Sequence, residues 1–283
     1  MNSCISTSQR FLRELHTVRF ILRKEFKLWK RYPSRILFII IMPFLSILTL
    51  YFQGMGLVGS TSSAEFESFA GTQDYLLFII IGSAVFIFVS TAIWGVGNSI
   101  RREQMMGTLE SIWVTPTSKL TIFVGVALFD GLFSSYVAFM QLLISSLVLP
   151  VDFLDLRIFV VIGIAFLLIF SLYGLGFFFT GFVLIYKELE DFTNMITSAI
   201  KMISPVSYPL SVLPAPIAFL ALFIPLTYAL QAIREFLGLG EYGSFYQYLG
   251  LLLLFDLIFL VVGSLFFRYA EKSAKRRGVI ATH

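Results

Sequence analysis

Histidine is almost missing from this chain, present only as His16 and His283, and cysteine occurs once, as Cys4. That supply assembles no His/Cys metal cluster, and a lone cysteine closes no internal disulfide. Charge is scarce as well: Asp, Glu, Lys and Arg together make up 13% of the residues, against roughly 25% in soluble globular proteins. There is no Gly-Lys pair, hence no Gly-x-x-x-x-Gly-Lys-Ser/Thr loop whose amides and lysine could cradle phosphates. There is no Gly-x-Ser-x-Gly elbow and no Cys/His pair either. These absences exclude a metal-dependent or hydrolytic cytosolic enzyme, a disulfide-stapled secreted domain and a nucleotide hydrolase of the P-loop type. Nothing in composition or motif points to a nucleic-acid partner. What the chain does hold is apolar surface: 58% hydrophobic residues, with 32 Phe in 283 positions. A soluble fold has too little interior to hide so much, and the mean hydropathy of +0.87 makes lipid the solvent for most of the chain.

A membrane helix needs about 20 mostly apolar residues. Six windows qualify: about 36–52, 75–97, 120–149, 158–186, 192–213 and 248–269. The third is long enough to tilt or to project beyond the bilayer. The fifth carries Pro205 and Pro209, which should kink its end into a broken, gate-like geometry. The apolar stretch at 217–223, bracketed by Pro214, Pro216 and Pro225, is too short to span and reads as a re-entrant or interfacial helical pair. The expected fold is an all-α integral membrane protein with six transmembrane helices.

Charge sets the orientation. With six spans, one side collects nine cations before the first span, then Arg101, Arg102, Lys119, Lys187 and five more near the C-terminus, 18 of the 21 basic residues. Only Arg157 and Arg234 fall opposite, and Lys201 lies within the fifth window. The positive-inside rule then puts both termini in the cytoplasm. The N-terminus lacks the features of a signal peptide: some 35 polar, basic residues precede the first apolar run. The chain divides into a cytoplasmic tail and interfacial helix at 1–35, a membrane domain at 36–269 and a basic tail at 270–283.

Two cytoplasmic pieces have helical periodicity. In 10–31, Phe11, Leu15, Val18, Leu22, Phe26 and Trp29 recur at three- and four-residue steps, with Arg13, Lys24, Lys27 and Arg31 toward the other side. A basic amphipathic helix of this kind is expected in the interface plane, near anionic headgroups. It serves either as an anchor alone or also as a contact for a cytoplasmic partner. After the second window, Met106, Leu109, Ile112 and Trp113 again fall at helical spacing, and Pro116 ends the run. Glu103 and Glu110 lie seven apart and so share a face of that helix. Exposed acids and flexible Met side chains suit a groove on another protein; a helix lying flat on the membrane is the alternative. The acids Glu188, Glu190 and Asp191 belong to a short loop with no cleft and read as a solvated turn.

The run Glu103-Gln-Met-Met-Gly-Thr-Leu-Glu110, followed by Thr115-Pro116, resembles the Glu-x-x-x-Gly-Thr-Leu-Glu … Thr-Pro segment of type-2 ATP-binding-cassette (ABC) transporter permeases. The stretch from Pro205 to Pro214, then Ile224-Pro-Leu-Thr-Tyr-Ala-Leu-Gln-Ala-Ile-Arg-Glu235, is similar to that family's approach to its last span, although Ile224 stands where the family often has Asn. The resemblance implies a homo- or heterodimer of six-helix subunits in the cytoplasmic membrane of a prokaryote, each engaged by a separate nucleotide-binding ATPase. ATP and Mg would then sit on that partner, with no cofactor on this chain and no catalysis by it. The resemblance also implies that 100–114 is the coupling helix, offering Glu103, Met106, Leu109, Glu110 and Trp113 to the ATPase. It makes 215–234 a re-entrant pair near the outer mouth, where Pro205, Pro209, Pro225, Arg234 and Glu235 would shape the gate.

Asp130, Lys201 and Asp256 fall inside the third, fifth and sixth windows. A charge at the centre of a membrane helix costs about 2.5–3.5 kcal/mol on insertion scales, so each should face protein, water or an opposite charge. They could form a structural pair centred on Lys201, line a wet cavity, or relay protons. Ala127, Gly131 and Ser135 form a small-residue stripe beside Asp130, and Gly174, Gly176 and Gly181 do the same on the fourth window. Two functions follow as expectations. The first is an ABC exporter permease for a hydrophobic or amphipathic substrate such as a drug, lipid, peptide or glycan. The alternative is an ion- or proton-coupled carrier built on Asp130, Lys201 and Asp256.

Overall fold

A computed structural model describes residues 7–31, 34–58, 62–107, 111, 114–115, 117–148, 157–186, 190–239 and 244–277, and among them there is no strand. The helices are α1 (Thr7–Arg31), α2 (Ser34–Val58), α3 (Ala64–Ala70), α4 (Tyr75–Met105) and α5 (Lys119–Val148). They continue with α6 (Arg157–Tyr186), α7 (Glu190–Ile203), a 3-10 turn at Leu210–Val212, α8 (Ala215–Ala221), α9 (Pro225–Phe236) and α10 (Phe245–Arg277).

Four helices contain apolar windows of membrane-crossing length: Tyr75–Gly95 in α4, Thr121–Leu147 in α5, Phe159–Gly176 in α6 and Phe245–Phe266 in α10. At about 1.5 Å per residue each covers most or all of a hydrocarbon core roughly 30 Å thick. The pair α8–α9, bent by 88°, makes a fifth if it is counted as one crossing. Helix α2 covers the first expected window, but its apolar part, Phe44–Gly56, is shorter than the others. The fifth expected window, 192–213, is not one long helix. Helix α7 stops at Ile203 after 14 residues, because Pro205 has no N–H to continue the ladder and pushes the residue before it out of helical geometry.

Burial ranks the long helices. The apolar window of α4 is 61% buried and that of α10 only 17%. Leu76, Ile80, Ile81, Val85, Phe88 and Val89 of α4 therefore sit in the centre of the core, while Leu253, Leu254, Leu257, Val261 and Leu265 of α10 face outward. Helix α10 is held by one flank against α6. A Cβ on Gly174 would overlap the Phe259 backbone, and one on Gly263 would overlap the backbone of Gly174. Two glycines thus let the helices touch main chain to main chain, the small-residue packing that membranes favour.

The bend between α8 and α9 has a local cause. Backbone N–H groups of Leu222, Phe223 and Ile224 turn back to the carbonyls of Phe219, Leu220 and Ala221 at 3.1–3.2 Å. Pro225 then opens α9 at a position where a missing donor costs nothing. Thr227 Oγ1 donates to the Ala221 carbonyl and Tyr228 OH to the Leu222 carbonyl, each at 2.7 Å. The backbone freed by the break is thereby satisfied inside the protein, the condition for irregular chain at membrane depth. Ile224 offers no side-chain cap and instead packs against the core.

Candidate functional site

Helix α4 links two polar clusters. Phe78 lies at its start and Arg102 near its end, 24 residues apart, about 36 Å along the helix, so the clusters bracket the apolar core.

The cluster at the end of α4 joins it to α1. Lys24 Nζ donates to Glu103 Oε1 at 2.6 Å, and Arg102 Nη2 donates to Glu25 Oε1 at 2.8 Å. Lys24 also lies 3.7 Å from Glu25. The two acids are buried and the two cations are more than a third exposed. Adjacent residues of opposite sign on each helix therefore cross-pair, and α1 is fixed in register against α4. Beyond them α1 runs beside α5 in the same direction. Ile21 meets Gly125, where an added Cβ would stand 3.1 Å away. Eight residues on, Trp29 meets Phe133 and Tyr136 edge-on at 6.1 and 6.5 Å. Helix α1 does not rest on lipid alone, as its periodicity suggested: part of its apolar surface packs on protein, while Leu12, Leu15, Phe20 and Phe26 stay exposed.

The expected coupling helix at 100–114 begins within α4. Residues 100–105 are the continuation of α4, and the break comes at Gly107, whose φ of 66° is the left-handed conformation that ends helices. Glu103 points at Lys24 and is buried. Met106 is exposed in the turn, as is Met105 before it. Leu109, Glu110 and Trp113 lie outside the described residues. Val114 is exposed, in a short helical piece beyond them.

The three charges expected within the spans are not brought together. Asp256 is buried on α10 and accepts from both the backbone N–H and the hydroxyl of Ser171 on α6. Asp130 faces Gly95, whose missing side chain makes room for the carboxylate. Because Gly95 closes the apolar window of α4, Asp130 lies toward the α1 end of the bundle and not at mid-span. Lys201 is exposed on α7 with its Nζ 5.6 Å from the centre of the Phe86 ring. Neither Asp130 nor Asp256 forms an ion pair with it. Attending to charge alone missed a neutral link: Gln141 Nε2 of α5 donates to Ser83 Oγ of α4 at 2.7 Å. Its signal was available, since an amide within an apolar helix needs a partner.

The second cluster surrounds Arg234. Its guanidinium donates to the carbonyls of Pro205 at 2.7 Å and of Phe78 and Val206 at 3.2 Å each. It also lies 3.3 Å from the centre of the Phe78 ring. The cation is buried and neutralised by dipoles and a ring face. Gly82 supplies the space, since a Cβ there would overlap the Val206 carbonyl. Pro205 and Pro209 are thus parts of the turn that follows α7, not a kink within a span; Pro209 precedes the 3-10 turn. Ser211 of that turn donates to the Phe69 carbonyl of α3 at 2.8 Å. Glu235 Oε1 accepts from the N–H of Ser244. A cleft of about 400 Å³ opens beside Arg234, with Glu67, Gln231, Glu235 and Tyr248 on its walls. Among the described residues no group of His, Cys, Asp and Glu side chains could hold a metal ion.

The geometry is that of a membrane-embedded helical scaffold with polar fixings at both ends. None of the curated proteins compared with it matches the chain. The sequence profile of the ABC-2 type transporter family matches residues 16–237, from α1 through the end of α9. That span covers more than three quarters of the chain and includes both polar clusters, and the protein therefore belongs to the ABC-2 type transporter family.

Proposed function

We propose that this chain is the translocating subunit of an ABC exporter. In this reading it crosses the cytoplasmic membrane six times with both ends inside, and a second copy or a homologue completes the path. A separate ATPase, carrying ATP and Mg, docks on the segment after Gly107. The observation that carries the proposal is the family match over residues 16–237. The place of Gly107 supports it: the segment after it follows the end of α4 that α1 clamps through Lys24 and Glu25, so a push there reaches two helices at once. Cargo of hydrophobic or amphipathic character accords with a chain that holds 32 Phe. The carrier alternative loses its main support, because Asp130, Lys201 and Asp256 are not assembled into one site.

Sealed vesicles holding the purified chain, with and without an ABC ATPase from the same cell, separate the readings. Movement of a panel of fluorescent lipids and amphipathic compounds should require both the ATPase and hydrolysable ATP. Transport by the chain alone, driven by an ion gradient, would replace this proposal with the carrier.

A further inference from the structure

An aromatic cleft of about 860 Å³ lies between α1 and α5, within the range of roughly 300–1,000 Å³ typical of small-molecule sites. Leu22, Phe26 and Trp29 of α1 form one wall, and Phe129, Phe133 and Tyr136 of α5 form the other. Its rim is cationic. Arg19, Arg23 and Lys27 recur every four residues along α1, which puts them in one row beside the aromatic stripe. All three are exposed, and none forms an ion pair or hydrogen bond among the described residues. Glu25 of the same helix is held by Arg102, and Asp130 of α5 faces Gly95 of α4.

The depth of the cleft fits a lipid. Helix α5 has 30 residues, about 45 Å, against a hydrocarbon core of roughly 30 Å. Its apolar window, Thr121–Leu147, is about 40 Å long, so about 10 Å of it can project beyond the core on the α1 side. Phe129 stands eight residues into that window, about 12 Å, and with that projection the aromatic walls stand near the edge of the hydrocarbon, where acyl chains meet headgroups. From this juxtaposition we propose that the cleft between α1 and α5 holds one anionic glycerophospholipid. Its acyl chain lies between the Phe26–Trp29 and Phe129–Phe133 walls, and its phosphate faces Arg19, Arg23 and Lys27. The site is formed by α1 and α5 alone. The lipid would touch the same helix whose Lys24 and Glu25 hold the end of α4, so membrane charge acts on the segment that leads to Gly107.

The test uses the purified chain without the ATPase, so its outcome is separate from that of the transport proposal. Native mass spectrometry with phosphatidylglycerol and phosphatidylcholine of identical chains should show one retained phosphatidylglycerol per protein chain, preferred over phosphatidylcholine by tenfold or more. Each cation near the membrane surface contributes about a fivefold effect, so Arg23→Gln with Lys27→Gln should lower the preference roughly 25-fold or abolish it. Leu132→Trp, which fills the cleft and leaves the charges in place, should remove the retained lipid. Quenching by acyl-brominated phosphatidylglycerol should be saturable and should lose its saturable part in Trp29→Phe. Equal retention of both lipids, unchanged selectivity in the double variant, or unchanged retention in Leu132→Trp would each overturn the site. Displacement by glycerol phosphate as effective as that by the lipid would show a free-anion site and would overturn the lipid assignment.

Discussion

Glu25 and Glu103 are buried acids that each depend on a cation from another helix. Stripping one partner from a fully buried pair costs about 3–5 kcal/mol; here the cations are partly solvated, and screening lowers the expectation to about 1–3 kcal/mol. Lys24→Met should therefore lower the thermal midpoint in detergent, and adding Glu103→Gln should recover part of the loss. Additive losses in the double variant would deny the pairing. Glu103→Lys separates two roles for this residue. A surface contact for the ATPase would weaken only ATPase binding. A residue that holds α1 would also shift the emission of Trp29, which packs on α5 through that same helix. Arg234 serves three carbonyls at once, and each buried acceptor left unsatisfied costs about 1–3 kcal/mol. Arg234→Met should be among the most damaging single changes in the chain, read as loss of folded protein after purification. Arg234→Lys should rescue it only in part, because an ammonium cannot reproduce the planar fork. Full rescue by Lys would contradict the fork geometry.

At the scale of elements, Gly174 and Gly263 set how close α6 and α10 come. Gly174→Leu should separate the helices and destabilise the chain by about 2 kcal/mol or more, the range of an overpacked core. Gly163 meets nothing within 4 Å of an added Cβ, so Gly163→Ala on the same helix should cost far less. Equal effects at both positions, measured by thermal unfolding, would deny the close crossing. The elements were legible to different depths. Long apolar windows marked α4, α5, α6 and α10 because composition alone decides which helices lipid accepts. The break at Pro225 was legible because proline acts locally. The end of α7 was harder: hydropathy windows average across Pro205 and hide that the helix stops before it. The role of Glu103 was hidden for a related reason. Heptad spacing assumes one unbroken helix, and Gly107 ends that helix between the two acids. Its burial depends on Lys24, 79 residues away, and local periodicity carries no information over that distance. Among the site residues, Arg234 was readable as polar within an apolar region, but its partners come from two separate segments, Phe78 of α4 and the turn at Pro205–Val206, that only the fold brings together.

The whole molecule presents α10 as a mostly exposed apolar face and keeps α4 in its interior, a distribution that suits lipid around one flank. The asymmetry of basic residues adds a topological expectation. Single cysteines placed in a Cys4→Ser background should be labelled from outside at Ser62 and only after permeabilisation at Ser273. Outside labelling at Ser273 would overturn the six-span topology. In the proposed function a separate ATPase, seated on the segment after Gly107, moves this ABC-2 family member. The most direct measurement is co-purification of that ATPase from membranes with the unaltered chain, with Glu110→Lys and with Trp113→Ala. Stoichiometric recovery is expected with the unaltered chain and at least about a tenfold loss in each variant, as like charge or a lost aromatic anchor at an interface produces. Both variant chains should still insert and unfold at the parental temperature. Undiminished ATPase recovery in both variants would contradict the claim.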